Sequence, residues 1–224
     1  MTASAFDQSR YQLRFDWGVA GLRRLAPADV VVVVDVLRFS STVSAQVAGG
    51  EAVPHGEAAH EISRNGAAVA SAAADAGAVV FAGCLRNATA VARAVLAEQN
   101  RRAARTSVNV IAAGELAGHG DTAVLRFSVE DQLGAGAVFA ALESLGLDHS
   151  SPEAAAASEA FRGLRSAVRH LLTASGSGQE LLEAGNRAEV QAAAAHDADD
   201  AVPVLRGDVW RAYPFESAEA ISAE

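Results

Sequence analysis

Several side chains capable of chemistry follow the most apolar run of the sequence, the valines of Val30–Val34. Asp35 comes directly after this run, Arg38 follows three positions later, and Ser40 and Ser41 come next. An ionised aspartate only accepts hydrogen bonds, so beside an anion it suits an Mg²⁺ ligand or a general acid or base. An arginine can hold a phosphate or sulphonate through two hydrogen bonds. The segment is therefore a candidate anion and metal site, although it would equally suit an Asp35–Arg38 ion pair with Ser40 as a helix cap.

A second acidic group lies in the middle of the chain. Glu115 follows an apolar run at residues 108–111, and Glu130 and Asp131 are adjacent at the start of a predicted helix. Two carboxylates in one helical turn could hold a hydrated Mg²⁺ ion. Asp131 also has a simpler explanation, because acids favour a helix N-terminus and Ser128 precedes it at near capping-box spacing.

Arg86 and Asn87 occupy another predicted strand-to-helix junction. Asn87 suits a helix N-cap, and it would meet a ligand only if this junction faces the same cleft as Asp35. Cys84 is best explained as a small buried apolar side chain. The six histidines show no zinc-binding spacing, and only His119, in the loop GHGD, is kept as a candidate acid or base.

Predicted strands and helices alternate along the chain, and these elements must position the residues above. Alternating and β-branched apolar runs predict strands at residues 11–15, 30–34, 52–55, 78–82 and 107–112, with a closing strand or hairpin at 203–205 and 209–212. Helices are predicted after residue 17, at 40–48, 66–76, 87–105, 128–145, 152–174 and 186–196, and from a capping box that begins at Ser177. This order predicts an α/β protein whose mostly parallel or mixed sheet is flanked by helices in three layers, with a helix-rich C-terminal third. Ligands of such sheets bind beyond the carboxyl ends of the strands, where Asp35 is expected.

Composition narrows the classes of partner. We expect residues 1–224 to form a single domain with a flexible tail after Tyr213. The net charge of −9 argues against a nucleic-acid partner. No apolar run approaches the roughly 20 residues of a membrane span and no signal peptide is visible, so we expect a cytoplasmic protein without a membrane partner. All 18 basic residues are arginines, which excludes a Schiff-base lysine and a Walker P-loop. An alanine-rich helical surface would favour a homodimer.

Taken together, these stretches resemble the 2-phosphosulpholactate phosphatase family. The resemblance lies in VVVVDVLRFSST, in the Asn-Gly segment NGAAVASAAADAGAVVFAGCLRNATAVARAV, and in VIAAGE with SVEDQLGAGAVFAAL. The C-terminal SGSGQELLEAGNRAEV and VPVL are similar to the closing region of the family. The likeness runs in order through most of the chain, and the combination is far more specific than any one motif.

The resemblance implies an Mg²⁺-dependent hydrolase of α/β fold that cleaves 2-phospho-3-sulpholactate to sulpholactate and phosphate, a step in coenzyme M synthesis. The catalytic residues that it implies are Asp35, Arg38, Glu115 and Glu130. The metal ligands would be Asp35, Glu130 and Asp131. The contacts to the acidic substrate would be Arg38, Ser40, Ser41, Asn65 and Asn87.

The sequence departs from the family pattern before Asn65. The segment between the second strand and Asn-Gly is shortened, and Ser63 and Arg64 replace a threonine-rich approach. Two alternatives therefore stay open: a phosphatase for a different small phosphoester, or a catalytically weakened relative that binds a small anion or serves in assembly. Metal-dependent turnover would separate the enzymes from the binding protein.

Overall fold

A computed structural model describes residues 4–56, 63–118 and 123–215 of the chain. Its centre is a mixed seven-stranded sheet in the order β1-β5-β2-β4-β8-β9-β3, in which β1, β5, β2 and β4 are parallel and the other pairings are antiparallel. The strands are β1 Leu13–Trp17, β2 Val30–Val34, β3 Val53–Pro54, β4 Val79–Gly83, β5 Val108–Ala112, β8 Pro203–Arg206 and β9 Val209–Ala212. A separate two-stranded hairpin is formed by β6 Glu115–Ala117 and β7 Val124–Arg126. The predicted α/β class with a mostly parallel or mixed sheet is confirmed.

Strand β2 lies at the middle of the parallel part of the sheet. Its side chains alternate between the faces, so Val30, Val32 and Val34 belong to one apolar core while Val31 and Val33 belong to the other. All five valines are buried. A continuous β-branched run is what such a doubly covered strand requires.

Helices cover both faces of the sheet and complete three layers. One face packs against α1 Gly18–Arg24, α2 Phe39–Ala48 and α3 Arg64–Asp75. The opposite core includes side chains from α4 Ala88–Arg102, α5 Val129–Ser144, α6 Pro152–Leu164, α7 Val168–Ala174, α8 Gly176–Glu183 and α9 Arg187–Ala193. The C-terminal third is rich in helix as predicted, and the β8–β9 hairpin joins it to the sheet.

Three details differ from the sequence prediction. The helix predicted at residues 152–174 is two helices, because a 3₁₀ turn at Arg165–Ala167 separates α6 from α7. Helix α8 begins at Gly176 with Ser175 as its cap, so the capping role predicted for Ser177 is wrong. The β6–β7 hairpin was not predicted, since its strands are only three residues long.

Within the described ranges, no helix combines the length and apolarity needed to cross a bilayer. His119 and most of the predicted tail, residues 216–224, lie outside the described residues.

Candidate active site

A cleft of about 490 Å³ opens beyond the carboxyl ends of the parallel strands β2 and β5. Its lining comes from the loop after β2, the start of α3, the loop after β5, the first turn of α5, and α8 with the residues that follow it. These segments are distant in sequence, and the parallel pairing of β2 with β5 brings the first acidic groups together. The cleft gathers Asp35, Arg38, Asn65, Glu115, Glu130 and Asp131.

Asp35 lies in this cleft and is only 4% exposed. The Ser63 hydroxyl donates to its Oδ2 at 2.5 Å, and the backbone N–H of Phe39 donates to its Oδ1 at 3.2 Å. The pKa of Asp35 is raised to about 6, chiefly because burial disfavours the charged form, and repulsion from Glu115 adds to the shift that the two hydrogen bonds oppose. Asp35 therefore titrates close to neutral pH, which suits an acid or base, or a carboxylate that a cation would ionise.

Asp131 joins the ends of the two central strands. Its Oδ1 accepts from the backbone N–H of Val36 at 2.7 Å, and its Oδ2 accepts from the backbone N–H of Gly114 at 2.9 Å. Burial, followed by repulsion from Asp35 and Glu130, raises its pKa well above the usual range. Each Asp131 oxygen thus accepts one backbone hydrogen bond, so this side chain ties the two loop ends together. Its role as a metal ligand stays a prediction.

Glu115 and Glu130 meet at one hydroxyl group. The Ser177 Oγ lies 2.5 Å from Glu115 Oε2 and 2.6 Å from Glu130 Oε1. Glu130 is 3% exposed, and its other oxygen, Oε2, is buried without a hydrogen-bond partner in the described part of the chain. A buried carboxylate oxygen left without a donor indicates that a cation or a donor belongs beside it.

The donor set can be compared with the needs of Mg²⁺. No three His, Cys, Asp or Glu side chains of the described residues converge closely enough to hold an ion by themselves. Mg²⁺ seldom needs such a cage, because it usually keeps several waters and binds through one or two carboxylates and a substrate phosphate. The unpartnered oxygen of Glu130 and the acid-rich surroundings of Asp35 fit that mode of binding.

Two arginines also line the cleft, Arg38 and Arg64. Arg38 donates to Glu189 at 2.8 Å, and both side chains are about 40% exposed, at 38% and 43%. Arg64 and Asn65 begin α3, and the Asn65 amide donates to the Gly114 carbonyl at 2.8 Å. Arg64 forms no hydrogen bond or ion pair with another described residue.

Three of the residues predicted to bind substrate are not brought to the cleft. Ser40 is fully buried, where it accepts from the Asp35 backbone N–H and donates to the Val33 carbonyl. Asn87 is fully buried, and its amide donates to the Ala82 carbonyl. Ser41 lines a separate cavity. The hydrogen bonds of Ser40 and Asn87 fit support of the strand-to-helix junctions better than contact with a ligand in the cleft, whereas Ser41 Oγ is buried without a hydrogen-bond partner among the described residues.

The junction after β4 is neutral overall. Arg86 donates from Nε and Nη2 to both carboxylate oxygens of Asp199, at 2.8 and 2.7 Å. Burial raises the pKa of the Cys84 thiol to about 11, so the interpretation of Cys84 as a buried apolar residue is confirmed. The side chain of Asn87 accepts from the Cys84 backbone N–H and makes no capping bond to α4.

Gly66 allows helix α3 to approach the acid group. A Cβ at this position would lie 2.6 Å from Asp35 Oδ2 and 2.9 Å from the Phe39 Cβ. The Ser63 Oγ accepts from the Gly66 N–H at 3.3 Å while donating to Asp35, so the cap of α3 rests directly on the carboxylate. The Asn-Gly pair of the sequence thus has a steric origin.

Sequence reasoning missed the two serines that touch the acids. In the sequence, Ser63 is visible only as a departure from the threonine-rich family pattern, and Ser177 only as a predicted cap of a helix. Their signal is faint, since each lies within three residues of a helix start and each resembles an ordinary capping serine. The repeated Ser-Gly of residues 175–178 offers a hint, because one serine suffices to cap a helix.

Comparison with known proteins agrees with this arrangement. The chain matches the sequence model of the family described as 2-phosphosulpholactate phosphatase over residues 51–208, which is more than half of its length. Asn65, Glu115, Glu130 and Ser177 lie inside the matched range, and the fold adds Asp35 from outside it. No curated protein matches the chain. With an α/β fold, a cleft that gathers acids and arginines, and this match, the chain belongs to the 2-phosphosulpholactate phosphatase family.

Proposed function

We propose that the protein is an Mg²⁺-dependent phosphatase for small acidic phosphoesters, and that 2-phospho-3-sulpholactate is its substrate. The phosphatase role follows from the family. The metal and the substrate are proposed from one observation: the same cleft is lined by buried carboxylates and by the side chains of Arg38 and Arg64. Acids and arginines around one cleft suit an anionic ester bound together with a cation.

The metal would be held on the acidic side. Asp35 and Glu130 supply the oxygens, because Asp35 has a raised pKa in the absence of a cation and Glu130 has a free buried oxygen. When bound, Mg²⁺ would neutralise negative charge on the phosphoryl oxygens and favour ionised ligands. Asp131 contributes indirectly by fixing the loop ends beside these ligands.

The substrate would be held by the arginines and by helix α3. Arg38 can exchange Glu189 for a phosphate oxygen at little cost, because an ion pair this exposed is weak. The first turn of α3 presents backbone N–H groups and the Asn65 side chain toward the same space. A substrate with a sulphonate and a carboxylate besides its phosphate would engage Arg64 as well.

Hydrolysis requires that water forms a bond to phosphorus as the bond to the ester oxygen breaks, giving phosphate and the free hydroxyl of the product. Glu115 is suited to orient the water and accept its proton, since its carboxylate lines the cleft. Charge spreads over the phosphoryl oxygens in the transition state, and Arg38 would stabilise it there. Positioning and electrostatics are the main contributions expected of the protein.

The first experiment measures phosphate release from a panel of phosphoesters that includes 2-phospho-3-sulpholactate, with Mg²⁺ or with EDTA. Asp35→Asn is compared with Asp16→Asn, a matched control that alters an acid bound to Arg24 and outside the cleft. We expect turnover that needs Mg²⁺, persists in the control and falls by orders of magnitude in Asp35→Asn.

Turnover of another ester in preference to 2-phospho-3-sulpholactate would reject the named substrate and retain the enzyme class. Complete inactivity on the panel, with phosphate still raising the melting temperature, would favour the anion-binding alternative. Equal activity in EDTA would reject the metal.

A further inference from the structure

The sequence SGSG at residues 175–178 contains one serine more than its helix requires. Ser175 caps α8 by accepting from the Gly178 N–H at 3.1 Å, and it donates to the Leu172 carbonyl at 2.9 Å. Gly178 must lack a side chain, because a Cβ would lie 1.9 Å from the Leu172 carbonyl oxygen. The close contact of Gly178 with Leu172 fixes the start of α8, and Ser177, the residue before Gly178, lines the acid-rich cleft.

The contacts of Ser177 are chemically unusual. A serine hydroxyl has one proton to donate, yet its oxygen lies within 2.6 Å of a carboxylate oxygen of both Glu115 and Glu130. The hydroxyl can therefore donate to only one of the two carboxylate oxygens that it contacts. Glu130 Oε2, the other oxygen of the Glu130 carboxylate, has no partner among the described residues.

We propose that Ser177 is a positioning residue: its hydroxyl fixes the Glu130 carboxylate for a divalent cation and holds the water-activating Glu115 beside it. The inference rests on the proposed function and goes beyond it, because it assigns the C-terminal helical region a part in the catalytic centre. Glu115 begins strand β6 and Glu130 lies in the first turn of α5, and the Ser177 hydroxyl contacts both.

A purely structural role explains these observations less well. The capping need of α8 is already met by Ser175, and an apolar side chain at position 177 would serve packing without crowding three oxygens. Residues that orient metal-binding carboxylates typically change metal affinity by about 10- to 100-fold when they are replaced. The same range is expected for loss of the Ser177 hydroxyl.

The test measures Mg²⁺ binding by calorimetry for the full chain, for Ser177→Ala, and for Ser175→Ala as a matched control from the same turn. We expect wild-type protein to bind Mg²⁺, Ser177→Ala to bind about 10- to 100-fold more weakly, and Ser175→Ala to stay within about threefold of wild type. Melting temperatures in EDTA establish that each variant is folded, and Ser175→Ala should be the less stable because it loses the cap.

Kinetics supply a second readout. In Ser177→Ala the Mg²⁺ concentration for half-maximal rate should rise, while kcat at saturating Mg²⁺ should fall much less than the rate at limiting Mg²⁺. Wild-type binding that Ser177→Ala retains within threefold would overturn the inference alone, and so would equal losses in the two serine variants. A wild-type protein that binds no Mg²⁺ and hydrolyses none of the esters would overturn the proposed function together with it.

Discussion

The junctions after β2 and after β4 have similar sequences and opposite electrostatics. Each runs from a buried strand through a polar loop with an arginine into a helix. After β4, Arg86 is neutralised by Asp199, a residue 113 positions away, through a bidentate pair that is mostly buried. After β2, Asp35 receives hydrogen bonds from Ser63 and Phe39, no cationic side chain of the described residues pairs with it, and further acids lie close by. We infer that a polar strand end can serve as a ligand-binding site when its charged side chain is not neutralised by a partner from a distant part of the chain, as Asp199 neutralises Arg86.

The largest effect should come from the junction after β2. Asp35→Ala removes a carboxylate from the proposed metal site and should lower kcat/KM by about 10³-fold or more. Asn87→Ala at the other junction should leave kcat/KM of the folded protein within about threefold, although it loses a buried hydrogen-bonding group and about 1–3 kcal/mol of stability. Steady-state kinetics beside chemical denaturation measure both. Comparable losses of activity would remove the distinction between the junctions.

The pH dependence of stability follows from the raised pKa of Asp35. This pKa is about 6 in the folded protein, above the 3.8 of a solvent-exposed aspartate. Between these two pH values the folded state therefore binds more protons than the unfolded state. The free energy of unfolding of the metal-free protein should therefore gain up to about 3 kcal/mol from this group as the pH falls from 7 to 4. Asp35→Asn should abolish that part of the pH dependence, whereas Arg86→Ala should keep it. Urea denaturation in EDTA at several pH values measures the slope, and an unchanged slope in Asp35→Asn would contradict this assignment.

The two arginines should respond in opposite ways. Arg86→Ala breaks a mostly buried ion pair and should cost about 2 kcal/mol of stability with little change in KM. Arg38→Ala loses only an exposed pair, so it should change stability by less than about 1 kcal/mol while KM for the phosphoester rises about tenfold. Thermal denaturation measures the stability change of each variant, and substrate titration measures its KM. A large KM effect in Arg86→Ala would show that the β4 junction also meets the ligand.

The smallest effect is expected at Arg64. A cation in the first turn of a helix is unfavourable, so Arg64→Ala should leave stability unchanged or raise it by a few tenths of a kcal/mol. Its KM should rise about three- to tenfold for esters with a second acidic group and stay unchanged for esters without one. Paired substrates that differ only in that group measure the contrast, and equal changes in KM would exclude Arg64 from specificity.

The sheet and the acidic residues could be predicted because their signals are local. Five adjacent valines fix a doubly buried strand, and Asp35 must follow it at the carboxyl end. Glu115 and Glu130 were predicted from neighbouring strands and helix starts, although their roles remain predictions. The serines that hydrogen-bond to these acids could not be predicted from local sequence patterns. Ser63 and Ser177 lie 28 and 62 positions from the carboxylates they contact, and a capping serine has the same local sequence whether or not its hydroxyl faces a cleft.

Residues predicted to touch substrate failed to reach the cleft for a related reason. Ser40 and Asn87 sit beside helix starts, where unpaired backbone groups compete with a ligand for the same side chain. The backbone carbonyls that accept hydrogen bonds from Ser40 and Asn87 lie seven and five residues away, respectively. These hydrogen bonds can therefore form as soon as the chain folds locally. A ligand contact requires that such a local partner be missing, which a sequence does not display.

Because Asp131 bridges the ends of two central strands, the loop ends beside the cleft should open only when the whole sheet unfolds. The amide protons of Val36 and Gly114 are held by one carboxylate that joins two central strands, and both residues are buried. Neither loop end can detach alone without leaving a buried carboxylate short of a donor. These two amides should therefore exchange with deuterium at the rate of global unfolding, as core amides do, although they lie in loops. The loop ends that Asp131 holds should behave as part of the slowest-exchanging unit of the protein, whereas the more exposed side chain of Arg38 should be free to adjust to a substrate.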